Sequence, residues 1–216
     1  MNRILSLKWI KALLFLLCLS PLAWLVWQGF HQGLGANPIE KITHTTGDST
    51  LTFLLITLSI TPLRKLLNQP AWIRFRRMLG LFAFFYGFLH FMTYLVLDQF
   101  FDFPGIVKDV AKRPFITAGF TGFVLLIPLA ITSTAGWIRR LGGKRWQMLH
   151  RLIYLTAIAG VVHYYWLVKS DVTKPVRYGA VLAFLLVCRI AIHLQGKFTR
   201  VSPSRYPQSL STTEIS

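Results

Sequence analysis

Met78-Leu79-Gly80-Leu81-Phe82-Ala83-Phe84-Phe85-Tyr86-Gly87-Phe88-Leu89-His90-Phe91-Met92-Thr93-Tyr94-Leu95-Val96-Leu97 is the stretch that decides the fold. It contains no Asp, Glu, Lys or Arg. As a helix rising about 1.5 Å per residue it crosses the roughly 30 Å hydrocarbon core of a bilayer. Its one imidazole, His90, sits well inside that core, where polar side chains are costly and usually face a cavity, a partner or a cofactor.

Five more apolar blocks flank it, near residues 9–30, 47–63, 114–137, 146–168 and 175–194. Together they predict an all-α membrane protein, a six-transmembrane-helix bundle. The composition agrees: 54% of the 216 residues are hydrophobic and only 14% are charged, against about a quarter in soluble domains. Pro114 suits the first turn of the fourth span. The second span is the shortest, and Pro62-Leu63-Arg64-Lys65 is expected to close it. Arg177 and Arg189 lie close enough to the ends of the sixth to snorkel. The first block begins with Arg3, Lys8 and Lys11 but has a long Trp-rich core and no small-x-small site, so it reads as a span rather than a cleaved signal.

Basic residues outnumber acidic ones 24 to 7. They lie between the apolar blocks, which excludes nucleic acid as the partner and makes the excess a topological signal. One face collects 15: Arg3, Lys8, Lys11, Arg64, Lys65, Arg74, Arg76, Arg77, Arg139, Arg140, Lys144, Arg145, Lys197, Arg200 and Arg205. The other has seven: Lys41, Lys108, Lys112, Arg113, Lys169, Lys174 and Arg177. Both termini are therefore expected in the cytoplasm of a multi-pass inner-membrane protein. Residues 1–8 form the N-terminal segment, 9–195 the membrane domain and 196–216 a polar tail expected to be disordered. No connection is long enough for a nucleotide-binding domain, and no Gly-rich phosphate loop is present. Cys18 and Cys188 fall inside apolar blocks and support no disulfide framework.

Of six histidines, His31, His44 and His193 read as loop or interfacial. His90 and His163 fall at similar depth in the outer halves of spans three and five. His150 lies thirteen residues before His163, about 20 Å along an ideal helix and about 140° around it. Neutral imidazole is a good axial ligand for haem iron, and two of them on facing helices would hold one haem. The trio also suits plain hydrogen bonding between helices, and the residues alone leave both readings open. Arg76, Arg77, Arg145 and Arg151 gather at the inner face, where propionates or a flavin phosphate would need cations. Taken singly, each of them is better accounted for by positive-inside topology alone.

Several motifs stand in one order: Gly33-Leu34-Gly35-Ala36-Asn37-Pro38, His44-Thr45-Thr46-Gly47, Ile60-Thr61-Pro62-Leu63-Arg64, Arg76-Arg77-Met78-Leu79-Gly80 leading to His90, Arg113-Pro114-Phe115, and Trp146-Gln147-Met148-Leu149-His150 with His163-Tyr164. From about residue 8 to 195 the chain resembles the haem-binding membrane subunits of bacterial periplasmic methionine-sulfoxide reductase systems, the MsrQ family. The resemblance implies a ferric-reductase-like fold in which spans three and five each carry two haem-ligating histidines. By position His90 and His163 match the outer pair and His150 the inner ligand of span five. Arg76 or Arg77 stands where the fourth would be. It implies one or two b-type haems as cofactors, and FMN. It further implies electrons drawn from the quinone pool or a cytoplasmic flavin reductase and passed to a periplasmic molybdopterin subunit that reduces the sulfoxide. This chain would then be an electron-transfer subunit and not that catalytic subunit. The alternatives are a stand-alone ferric or metal reductase, and a non-redox transporter or assembly factor.

Overall fold

The computed structural model describes the backbone of residues 2–198 and the side chains of 8–195. Eight α-helices follow one another among the described residues: α1 (Asn2–Phe30), α2 (Pro38–Leu66), α3 (Ile73–Met92), α4 (Phe103–Lys112), α5 (Pro114–Ile131), α6 (Ala135–Leu149), α7 (Leu152–Leu167) and α8 (Thr173–Phe198). A short 3-10 turn, Pro70–Trp72, precedes α3, and a π-helical stretch, Thr93–Asp98, prolongs it. Helix α8 continues past the boundary expected for the tail, and the rest of that tail lies outside the described residues.

Four stretches are long and apolar enough to cross a membrane: Lys8–Phe30, Pro70–Asp98, Pro114–Ile131 and Thr173–Gln195. Helix α7 is also apolar but shorter. Helix α2 differs from the expected span. Asn37 caps it by accepting a hydrogen bond from the Glu40 N–H, with Pro38 in its first turn, so it starts nine residues early and runs on through Pro62. It holds Thr46, Ser49 and Thr57 buried alongside Leu51, Leu54 and Leu58, because α3, α7 and α8 pack around it.

Two helix pairs, α2 with α3 and α5 with α7, make the most extensive contacts. Leu54, Ala83, Tyr86 and Ala157 are fully or almost fully buried between them. In lipid, water exclusion does not drive helices together, so close packing and interhelical hydrogen bonds must hold them. Two groups of side-chain hydrogen bonds lie at prolines inside helices. Pro21 removes the N–H that would serve the Leu17 carbonyl, and the Ser20 hydroxyl donates to it at 2.8 Å. One step along, the Tyr86 hydroxyl accepts from the Leu22 N–H and donates to the Cys18 carbonyl, two groups one helical turn apart. This pins α3 to α1.

Arg189 departs from its expected snorkelling position at the second such proline. Pro62 cannot serve the Leu58 carbonyl, and Arg189 of α8 does so instead, through Nη2 at 2.7 Å and Nε at 3.3 Å. Its Nη1 donates to the Tyr154 hydroxyl at 2.6 Å, and Nη2 also reaches Thr61 Oγ1. The guanidinium turns inward and joins α8 to α2 and α7; it does not snorkel.

Two further boundaries differ. The expected fourth span ends at Ile131, and Trp137 belongs to α6, which is kinked at Gly142. The expected fifth span, 146–168, is broken at His150-Arg151 between α6 and α7.

Arg189→Leu is expected to cost about 1–3 kcal/mol, the penalty of an orphaned buried acceptor. Adding Pro62→Ala restores the missing N–H and should recover part of that loss. Thermal unfolding in detergent checks both, and an unchanged midpoint for Arg189→Leu would contradict the assignment.

Candidate cofactor site

A cavity of about 510 Å³ opens between α2, α3, α5 and α7, within the roughly 300–1,000 Å³ usual for cofactor and ligand pockets. His90 and His163 line it, with Phe91, Phe123 and Leu126 as apolar walls. Glu40, Asp48, Asp98 and Arg113 lie around it as well.

The two imidazoles are held in the same way. His90 Nδ1 lies 2.9 Å from the Thr43 carbonyl of α2, and His163 Nδ1 lies 2.6 Å from the Phe115 carbonyl of α5. Four residues on from each carbonyl stands a glycine. A Cβ on Gly47 would approach His90 Nδ1 to 3.2 Å, and one on Gly119 would approach His163 Nδ1 to 2.7 Å. The missing side chain lets each ring lie against the neighbouring helix and donate to a carbonyl that has a lone pair beyond the one its helix uses. Because Nδ1 carries the proton, each Nε2 keeps a free lone pair, the tautomer suited to binding a metal. No hydrogen bond among the described residues engages either Nε2.

The ring centroids of His90 and His163 are 6.0 Å apart, with planes at 78°. Two imidazoles bound to opposite sides of one metal, each at about 2 Å, place their centroids about 6 Å apart. The cavity also contains the buried Thr156 hydroxyl, which has no hydrogen-bond partner among the described residues. Ligand spacing, tautomer and cavity volume together fit a haem held between His90 and His163.

His150 is set apart from this pair. It lies in the turn between α6 and α7, outside the apolar spans, so the ideal-helix spacing to His163 no longer applies. Its ring stacks on Trp146 at 4.0 Å, and Nε2 lies 3.0 Å from Thr132 Oγ1. The Thr132 hydroxyl already donates to the Pro128 carbonyl, so His150 Nε2–H is the donor here and Nδ1 the basic nitrogen. Burial, and then the nearby Arg76 cation, hold its imidazole below the ordinary histidine range. Arg76 is half-buried beside this turn, whereas Arg77, Arg145 and Arg151 are exposed, Arg77 on a groove against α1. His31 stacks on Trp27, and His44 lies 3.8 Å from Glu40 at the cavity edge.

Gly47 and Gly119, the Thr43 and Phe115 carbonyls, and Thr132 are site groups that the sequence pattern does not single out. A glycine inside each facing span was the available signal, but a glycine alone does not say which side chain will lie over it.

Residues 46–161 match the family described as ferric reductase like transmembrane component, a segment that includes His90 and His150 and stops two residues short of His163. Over 86% of its length the chain is 56% identical to a protein-methionine-sulfoxide reductase heme-binding subunit MsrQ of Herminiimonas arsenicoxydans, covering 86% of that protein. Proteins of the same name from Azospira oryzae and Caulobacter vibrioides are 53% and 50% identical, over 92% and 84% of this chain and 87% and 86% of theirs.

Gly119→Ala is expected to displace the His163 ring and lower the haem retained per chain several-fold. Gly143→Ala, whose Cβ meets open space, is expected to leave it unchanged. Pyridine haemochrome quantification of the two purified variants decides.

Proposed function

The chain belongs to the MsrQ family of heme-binding subunits, with a ferric-reductase-like transmembrane domain, and from that membership we propose that it carries electrons across the bacterial inner membrane to a periplasmic molybdopterin methionine-sulfoxide reductase. The observation that carries the reading is the matched pair His90 and His163, 6.0 Å apart in a cavity between four helices.

With six spans, α1, α2, α3, α5, α7 and α8, and both termini cytoplasmic, this cavity lies toward the periplasmic side. When bound, haem b supplies a one-electron Fe(III)/Fe(II) couple. The chain's residues do the rest. The Thr43 and Phe115 carbonyls hold each Nδ1–H and so keep both Nε2 lone pairs available. Phe91, Phe123 and Leu126 exclude water and keep the surroundings of low polarity, which helps set a redox potential. Glu40, Asp48 and Asp98 give the cavity an acidic edge that can orient an approaching partner, since charges at a rim mainly tune encounter.

At the cytoplasmic end His150 offers Nδ1 to a second, inner haem. Arg76 and Arg151 stand near it for that group's propionates or for the phosphate of FMN. The donor there is the quinone pool or a flavin reductase.

The decisive experiment is reoxidation of the chemically reduced protein in detergent. Protein-bound methionine sulfoxide is expected to reoxidise it only when the molybdopterin subunit is added, and His163→Ala is expected to abolish the response. Reoxidation by a ferric chelate alone, equally fast with or without that subunit, would favour a stand-alone metal reductase.

A further inference from the structure

A second concavity, of about 460 Å³, runs between α1 and α3. Its α3 residues, Arg74, Arg77, Met78, Leu81, Phe82 and Phe85, follow one helical stripe. By helix geometry that stripe lies on the face of α3 turned away from His90. The groove is graded along its length. Lys11 of α1 and Arg74 and Arg77 of α3 stand at one end, and the rest of the lining is apolar. Phe15 of α1 and Phe82 meet as its floor, ring centroids 5.1 Å apart. From Lys11 to Leu19 is about 12 Å of helix and from Arg74 to Phe85 about 16 Å, close to the roughly 15 Å depth of hydrocarbon in one leaflet.

None of the three cations takes part in an ion pair among the described residues, where the acidic partners are Glu40, Asp48 and Asp109. Three unpaired cations above an apolar slot one leaflet deep complement one kind of molecule: an anionic head carrying a long apolar chain.

We propose that this groove is a binding site for one anionic phospholipid, its phosphate held by Lys11, Arg74 and Arg77 and an acyl chain lying along Phe15 and Phe82. Basic pockets between transmembrane helices take acidic head groups by this chemistry. The lipid fills the space between α1 and α3 and so supports the helix that carries His90.

The test is native mass spectrometry of the full chain taken from nanodiscs containing equal phosphatidylglycerol and phosphatidylcholine. The wild type is expected to retain one phosphatidylglycerol, at least about tenfold in preference to phosphatidylcholine. A Lys11→Gln/Arg74→Gln/Arg77→Gln variant with a monodisperse profile should lose that preference, and Arg139→Gln/Arg140→Gln, on the same membrane face, should keep it. Equal retention of both lipids by the wild type would overturn the proposal without needing any variant. So would a preference that survives the triple substitution or is lost with the control pair, or displacement of the lipid by added FMN.

Discussion

Each of two histidines donates through Nδ1 to a helix carbonyl, and each ring lies where a glycine four residues further on has no side chain. A carbonyl in an α-helix already accepts one N–H and keeps a second lone pair, normally screened by side chains. Thr43 with Gly47 and Phe115 with Gly119 expose that lone pair to a ring arriving from another helix. The arrangement fixes the tautomer, the orientation and the position of His90 and His163 at once. It also requires α2 to lie against α3 and α5 against α7, the two most extensive helix contacts in the bundle. The architecture and the placement of this imidazole pair are therefore one constraint.

The rest of the bundle keeps those helices in place by a related device. Pro21 and Pro62, each inside a helix, free a carbonyl that lipid cannot satisfy. Side chains fill the gaps: Ser20 at the first, with Tyr86 of α3 bridging the next step, and Arg189 of α8 at the second. Helices that gain little from burying apolar surface against one another in lipid are joined through these groups. Tyr86 stands four residues before His90 on α3, and Tyr154, the Arg189 partner, stands nine before His163 on α7. The joints thus lie on the helices that carry His90 and His163.

Much of this is legible in the sequence. Apolar blocks mark the four helices long enough to cross a membrane and the shorter α7, and counting residues from the block ends puts His90 and His163 level with each other. What escapes such a reading is set by tertiary contacts. Helix α2 reads as short and weak because it is rich in Thr and Ser, yet protein rather than lipid surrounds it. The break before α7 carries no Pro or Gly. It occurs where Trp146 Nε1 donates to the Thr132 carbonyl and His150 Nε2 to the Thr132 hydroxyl, two bonds to a residue 14 and 18 positions away. Arg189 looks like a snorkelling terminus because its partner, the Leu58 carbonyl, is created by a proline more than a hundred residues earlier.

In the proposed site His90 and His163 present two free Nε2 atoms to one iron. The reduced-minus-oxidised visible spectrum of the purified protein, with haem counted per chain and the oxidised form examined by EPR, tests it most directly. A b-type alpha band, at least one haem per chain and low-spin, six-coordinate ferric iron are expected. A colourless protein expressed with ample haem, or high-spin iron bound to a single histidine, would contradict it.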